Sequence, residues 1–258
     1  MNPRIYTALA RTVVLESLRR KDLWVVAILG FIIILTAGTL GFFGFDGLEI
    51  FAKDLAVTVL GLYSTILAIL TSSRLLPDEI KNRTLYPLLA RPITRGQLLA
   101  GKLLGAILVS WIAFLILAVL TAGALLVFKV KFEPIMLQYL FGKMMGLVVI
   151  CALSMTLSAY MTPSAGATMS FVFAFGSSMI SRALVMGYDS APEMVRPIFQ
   201  FISVLLPQVS LFDMGGRVVN INWGPVQAWV MWSLFGYMLL YSSATMALGW
   251  VKFRKQAV

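Results

Sequence analysis

The chain has 258 residues, 60% of them hydrophobic and 12% charged, with a mean hydropathy of +0.90 and a formal net charge of +10. An ordinary soluble domain carries about twice that share of charge and no apolar runs of this length. Runs of about 20 apolar residues are long enough to cross a bilayer as helices, so residues 1–258 read as a single all-α polytopic membrane domain.

Residues 1–22 come first. Ile5, Leu9 and Val13 recur every four residues, with Arg4 and Arg11 on the other side, which predicts an interfacial helix lying on the inner leaflet. Glu16 interrupts the apolar face and limits the pattern to about three turns; a solvated basic anchor is the alternative. Six spans follow, at Leu23–Phe43, Leu55–Ser73, Leu98–Val127, Tyr139–Tyr160, Ala165–Val185 and Val226–Val251. The first five occupy 23–185, an extracytoplasmic segment fills 186–225, and the last span with its tail fills 226–258. No A-x-A-like site follows the first span, so it reads as a signal anchor rather than a cleaved leader.

Charge sets the orientation. With the N-terminus inside, 14 of the 21 Lys and Arg fall in inner segments against four acids, while outer segments hold five against seven acids. Basic residues in short loops mark the cytoplasmic side, so both termini are expected in the cytoplasm of a cell-membrane protein. That placement also discounts Asn82-Arg-Thr84 as a glycosylation acceptor.

Between the second and third spans lies TLYPLLARPITRGQLLAGK, Thr84 to Lys102. Gly96 to Lys102 approximates a phosphate-binding loop, but Leu103 stands where a magnesium-binding Ser or Thr is needed and no strand precedes it. Nucleotide binding here is rejected. Thr94 to Gln97 has the form of a capping box, so a helix starts at Thr94 and runs into the third span. Pro92 ends whatever precedes it, and Pro87 restricts the apolar stretch upstream to a short or kinked helix. A short apolar element, a hard turn and a long membrane helix make a rigid inner-face lever.

Gly101/Gly105 and Gly142/Gly146 are i, i+4 pairs that allow close helix approach, within one subunit or between two. Cys151, the only cysteine, lies in an apolar run and reads as a packing residue; there is no histidine. Lys143 and Arg182 are the charges placed within spans, near the outer boundary. Snorkelling to the headgroups and recognition of a substrate or lipid headgroup, or of an outer partner, are their two readings. Serines of the fifth span (Ser170, Ser177, Ser178, Ser181) and Tyr63, Ser64 and Thr65 of the second suggest interhelical hydrogen bonds, not a polar pore. After the fifth span, Pro197 to Pro207 is apolar but too short to cross, which predicts a short re-entrant helix.

The run from Glu79 through Arg83-Thr84, Leu85 to Ala90, Arg91-Pro92-Ile93-Thr94-Arg95 and Gly101-Lys102 resembles the cytoplasmic segment of ABC-2-type transporter permeases. It is similar in particular to permeases of the multicopper-enzyme and nitrous-oxide-reductase maturation group. The six-span layout and the re-entrant segment fit the same pattern, and Pro87 departs from it. The resemblance implies that Leu85 to Ala90 is a coupling helix docking into a separate ATP-binding subunit. Leu85, Leu88 and Leu89 would make the contact, with Glu79, Arg91 and Arg95 bracing it. It further implies a pair of permease copies, a homodimer being the simplest, with no cofactor of their own because ATP binds the partner.

The expected function is a non-catalytic exporter subunit moving an amphiphilic or lipid-like molecule, with membrane lipids but no nucleic acid among its partners. The alternative is a subunit relaying mechanical work to a periplasmic protein. A passive channel or scaffold is a further reading. An intramembrane enzyme is disfavoured, because no histidine, GxSxG motif or aspartate within a span is present.

Overall fold

The computed structural model describes residues 3–19, 24, 28, 30–31, 48–81, 94–127, 132–190, 192–219 and 224–255. Among these, all regular elements are helical. They are α1 (Pro3–Arg19), α2 (Leu48–Lys81), α3 (Arg95–Val127), α4 (Pro134–Tyr160), α5 (Pro163–Ser190), α6 (Arg196–Leu205), a 3-10 turn (Val209–Phe212), α7 (Gly215–Val219) and α8 (Ala228–Lys255). The predicted coupling helix, Leu85–Ala90, lies outside the described residues. So does the predicted span Leu23–Phe43, apart from Trp24, Ile28, Gly30 and Phe31.

Five helices are long and apolar enough to cross a membrane: α2, α3, α4, α5 and α8. Each overlies one predicted span, but their ends differ from the expectation. The second predicted span stopped at Ser73, whereas α2 continues through Pro77 to Lys81. Proline removes one backbone donor, and the helix reaches it with Leu75 and Leu76 buried just before. At 34 residues α2 is about 50 Å long, well beyond a hydrocarbon core of about 30 Å.

The helix directions follow from what meets at each end. Leu9 of α1, Leu76 near the end of α2, Leu98 and Leu99 at the start of α3, Met155 near the end of α4 and Phe253 at the end of α8 form one buried cluster. Crossing helices therefore alternate up and down, and α1 shares an end of the bundle with the end of α8. α4 is the central element: 67% of its most apolar stretch is buried, against 11% in α5 and 22% in α8.

Both glycine pairs receive elements that do not cross. A methyl group added at Gly101 would lie 2.8 Å from Leu9 Cβ, and one at Gly105 would lie 2.6 Å from Val13 Cβ. Two contacts at the same four-residue spacing mean that α1 runs alongside the first turns of α3, in the same direction. The predicted stripe of Leu9 and Val13 is thus buried, and Ser17 extends it past the exposed Glu16. On α4, a methyl at Gly142 would stand 3.0 Å from the Phe212 carbonyl oxygen, and one at Gly146 3.0 Å from Phe212 Cβ. The close approach lies within one chain, one of the two readings the spacing left open.

Because α1 sits so close to α3, Gly105→Ala should lower stability by about 1–3 kcal/mol through overpacking. In a Val13→Ala background most of that loss should vanish. Thermal unfolding of the detergent-purified protein measures both, and strictly additive losses would contradict the contact.

Candidate functional site

Two polar constructions stand out, one at each end of α4. The first lies where residues 196–219 fold back against the bundle. α6 begins at Arg196 with proline in its first turn and ends at Leu205, close to the predicted Pro197–Pro207 element. The chain then forms the 3-10 turn, whose Ser210 amide donates to Ser177 Oγ at 3.0 Å. Ser177 is mid-way along α5, and Phe212 rests on Gly142 and Gly146 of α4. The turn therefore reaches the middle of its neighbours, with Val209 and Phe212 buried against them.

That penetration brings Asp213 to Lys143. The lysine is buried, with its side chain 10% exposed, and its Nζ is 3.5 Å from Asp213 Oδ2. Lys143 stands nine residues into α4, about 14 Å from its first turn. It turns inward and does not snorkel along the helix to its end. A methyl group at Gly61 of α2 would be 3.3 Å from Lys143 Nζ, so the glycine makes room for the ammonium group. One turn away, Tyr139 Oη donates to the Val57 carbonyl at 3.0 Å. Asp213 Oδ1 accepts from the Gly215 amide at 3.0 Å, which fixes the carboxylate. Arg182, the other intramembrane charge, is exposed on α5, apart from this constellation.

A second ion pair stands further toward the same end. Lys53 was expected in a loop before the second span; because α2 begins at Leu48, it instead lies within the helix and is 1% exposed. Its Nζ donates to Glu133 Oε1 at 2.9 Å. Glu133 stands at the N-cap position of α4 without a side-chain capping bond, where the helix dipole favours its carboxylate. Gln138 donates through Nε2 to the Val226 carbonyl at 2.9 Å and accepts from the Val226 amide at 2.7 Å, tying α4 to the approach of α8. Asp213, Glu133, Lys53, Tyr139 and Gln138 escaped the sequence reading. The available signal was Lys143 itself: a charge inside a span calls for a counter-charge, and Asp213 beside Gly215-Gly216 is an acid within the re-entrant segment.

The other construction is the anchor of the predicted lever. The capping box is present: the Thr94 amide donates to Gln97 Oε1 at 3.1 Å, and the Gln97 amide donates to Thr94 Oγ1 at 3.3 Å. Gly96 to Lys102 is helical and not a loop; the Gln97 amide is taken by Thr94 Oγ1 and the Leu98 amide by the Thr94 carbonyl, so the stretch lacks the loop form that wraps a phosphate. Arg95 donates through one guanidinium nitrogen to the carbonyls of Phe253 at 3.3 Å and Arg254 at 3.0 Å. A cation on the last carbonyls of α8 satisfies groups that the helix leaves open. Glu79 stands in the last turns of α2, while Leu85, Leu88, Leu89 and Arg91 lie outside the described residues. On either side of residues 82–93, the end of α2 and the start of α3 meet in the Leu76–Leu98–Leu99–Phe253 cluster.

Among the described residues, no group of three His, Cys, Asp or Glu side chains could hold a metal ion. Five helices long and apolar enough to cross a membrane define a multi-pass membrane protein. The chain belongs to the ABC-2 family transporter proteins, whose pattern residues 8–258 match. It is therefore a membrane permease subunit of an ABC transporter, a kind of subunit that generally works with a separate ATP-binding subunit. No curated protein matches the chain.

The two halves of the Lys143–Asp213 pair are not equivalent. Asp213 is 48% exposed and can be hydrated alone, whereas Lys143 cannot. Asp213→Asn should therefore destabilise the protein by about 1–3 kcal/mol, and more than Lys143→Met does. Melting curves of the two variants test the order, and a larger loss in Lys143→Met would refute it.

Proposed function

We propose that the chain is the transmembrane half of an exporter whose ATP-binding subunits sit at the end where α1 and the end of α8 meet. The supporting observation is the anchoring of residues 82–93. α2 is helical to Lys81, α3 restarts at a capped Thr94, and both ends are bound into one apolar cluster. A partner that displaces this short connection must move α2 and α3 with it. The charge asymmetry of the loops supports a cytoplasmic location for that end. Leu85, Leu88 and Leu89 would enter the partner's cleft, braced by Glu79 and Arg91. Arg95 acts on the permease side, holding α8 to the moving unit.

The cargo of this reading is amphiphilic or lipid-like. Lys143 would meet its anionic group beside the re-entrant turn and Arg182 would meet headgroups on the open face of α5. A second copy would complete the transporter, and the thinly covered α5 leaves a face for it. ATP stays with the partner subunit. A second reading has the chain relay mechanical work to a periplasmic protein. It draws on the far end of the molecule, where Met194, Ile198 and Phe201 are exposed on and before α6.

The test is co-purification with the ATP-binding partner. The permease alone should hydrolyse no ATP. Leu88→Asp with Arg91→Glu should weaken assembly at least about tenfold, the scale of one interface hot spot, while Arg95→Gln should assemble normally and hydrolyse ATP more slowly. Normal assembly of the Leu88/Arg91 double variant would remove the coupling assignment. ATP-driven movement of a labelled lipid in vesicles separates export from mechanical relay.

A further inference from the structure

A lateral groove of about 770 Å³ opens between α1, α3, α4 and α8. Its walls include Leu104, Leu108 and Trp111 of α3, Phe141 and Met145 of α4, and Phe235 of α8. Three methionines, Met144, Met145 and Met238, give the lining an adaptable surface. Its α1 side carries Tyr6, Thr7 and Arg11, and Arg11 is the one charged residue among those lining the groove.

The groove's own surface is almost wholly apolar, and its polar and charged side chains, Tyr6, Thr7 and Arg11, all come from α1. Leu9 meets Gly101 and Val13 meets Gly105, so Arg11 lies level with about residue 103 of α3. Trp111 Nε1 donates to the Met144 carbonyl at 3.1 Å, which sets the level of α4 against α3. Phe141 is about one turn beyond. From Arg11 to Phe141 the groove therefore runs about 16 Å along the helices, close to half of a hydrocarbon core of about 30 Å. The Arg11 end faces the buried cluster of Leu98, Leu99 and Phe253, the end of the bundle where the loops are basic.

We propose that this groove holds one anionic glycerophospholipid from the adjacent leaflet, resident on the protein rather than carried by it. The phosphate meets the Arg11 guanidinium and the Tyr6 hydroxyl, and one acyl chain lies along Trp111 and Met145 to Phe141. The length of the groove matches one leaflet, and its single cation stands where a headgroup phosphate would be. A helix of a second copy would bring neither the anion nor a reason for that position. The lipid would also brace α1 against α3, because Ala10 and Val14 line the groove while Leu9 and Val13 grip the glycines. The proposal needs only the membrane location, and stands whether or not the chain exports a lipid.

The experiment reconstitutes the full chain into nanodiscs of phosphatidylglycerol and phosphatidylcholine in equal parts, extracts it in mild detergent, and counts retained lipid by native mass spectrometry. The wild type should keep one phosphatidylglycerol per chain. Arg11→Glu should lower the ratio of retained phosphatidylglycerol to phosphatidylcholine by about fivefold, the effect of one basic residue at an anionic surface. Arg11→Lys should keep most of the preference. Leu108→Trp, at a half-exposed wall position, should fill the groove and lower retention of both lipids. An unchanged ratio in Arg11→Glu, or full retention in Leu108→Trp, would overturn the proposal. So would disulfide cross-linking of Leu108→Cys between two copies that retain no lipid.

Discussion

An ammonium group about 14 Å inside a helix bundle is tolerable only with a counter-charge close by. Lys143 imposes that condition, and much of the architecture answers it. The counter-charge cannot come from a neighbouring crossing helix, because the packed faces of α2 and α4 around Lys143 are apolar apart from Tyr139 and a few hydroxyls. It comes from a segment that enters from outside the bundle. For Asp213 to reach Lys143, the 3-10 turn must sink to the middle of α4 and α5. It can do so because Gly142 and Gly146 leave space for Phe212, and Gly61 leaves space for the lysine. The turn's Ser210 amide is then held by Ser177. Ion pair, glycine pair and re-entrant turn are one device.

The opposite end of the bundle is built around an apolar cluster. Leu9, Leu76, Leu98, Leu99, Met155 and Phe253 join five helices by packing, and Arg95 adds hydrogen bonds to the end of α8. Apolar contacts between helices gain little from water exclusion in a bilayer, but α2 and α3 are longer than the hydrocarbon core. Their ends at this cluster extend toward the aqueous face, where burial is again favourable. A cluster placed there is the strongest apolar joint available to the molecule.

The crossing helices were legible in the sequence because long apolar runs without charge have one physical outcome in lipid. The capping box was legible because Thr94 and Gln97 make a local, reciprocal pattern. Boundaries were less so: the predicted span ends at Ser73 because Arg74 follows it, a reading that does not see the burial of Leu75 and Leu76 on the helix that runs on to Lys81. Lys53 was misplaced for a related reason. A lysine six residues from the start of a helix reads as loop when its partner, Glu133, is 80 positions away. The roles of the glycine pairs could not be assigned at all, because spacing shows that something approaches closely and not what. That both accept non-crossing elements is a tertiary fact.

α4 belongs to both constructions, and this bears on how one could act on the other. Met155 sits in the apolar joint and Lys143 in the re-entrant pair, 12 residues or about 18 Å apart on one unbroken helix. A tilt of α4 at the joint would carry Lys143 against a turn held by different neighbours, α5 through Ser177 and α2 through Val57. The ion pair would lengthen or slide before the helix bent, since a helix packed on several sides is stiffer than a contact of 3.5 Å between side chains. Coupling of this kind needs two positions of one rigid element, and no chain of mutually adjusting residues. The half-exposed Asp213 can take water or another cation when the lysine withdraws, so the cost of separation falls mainly on Lys143.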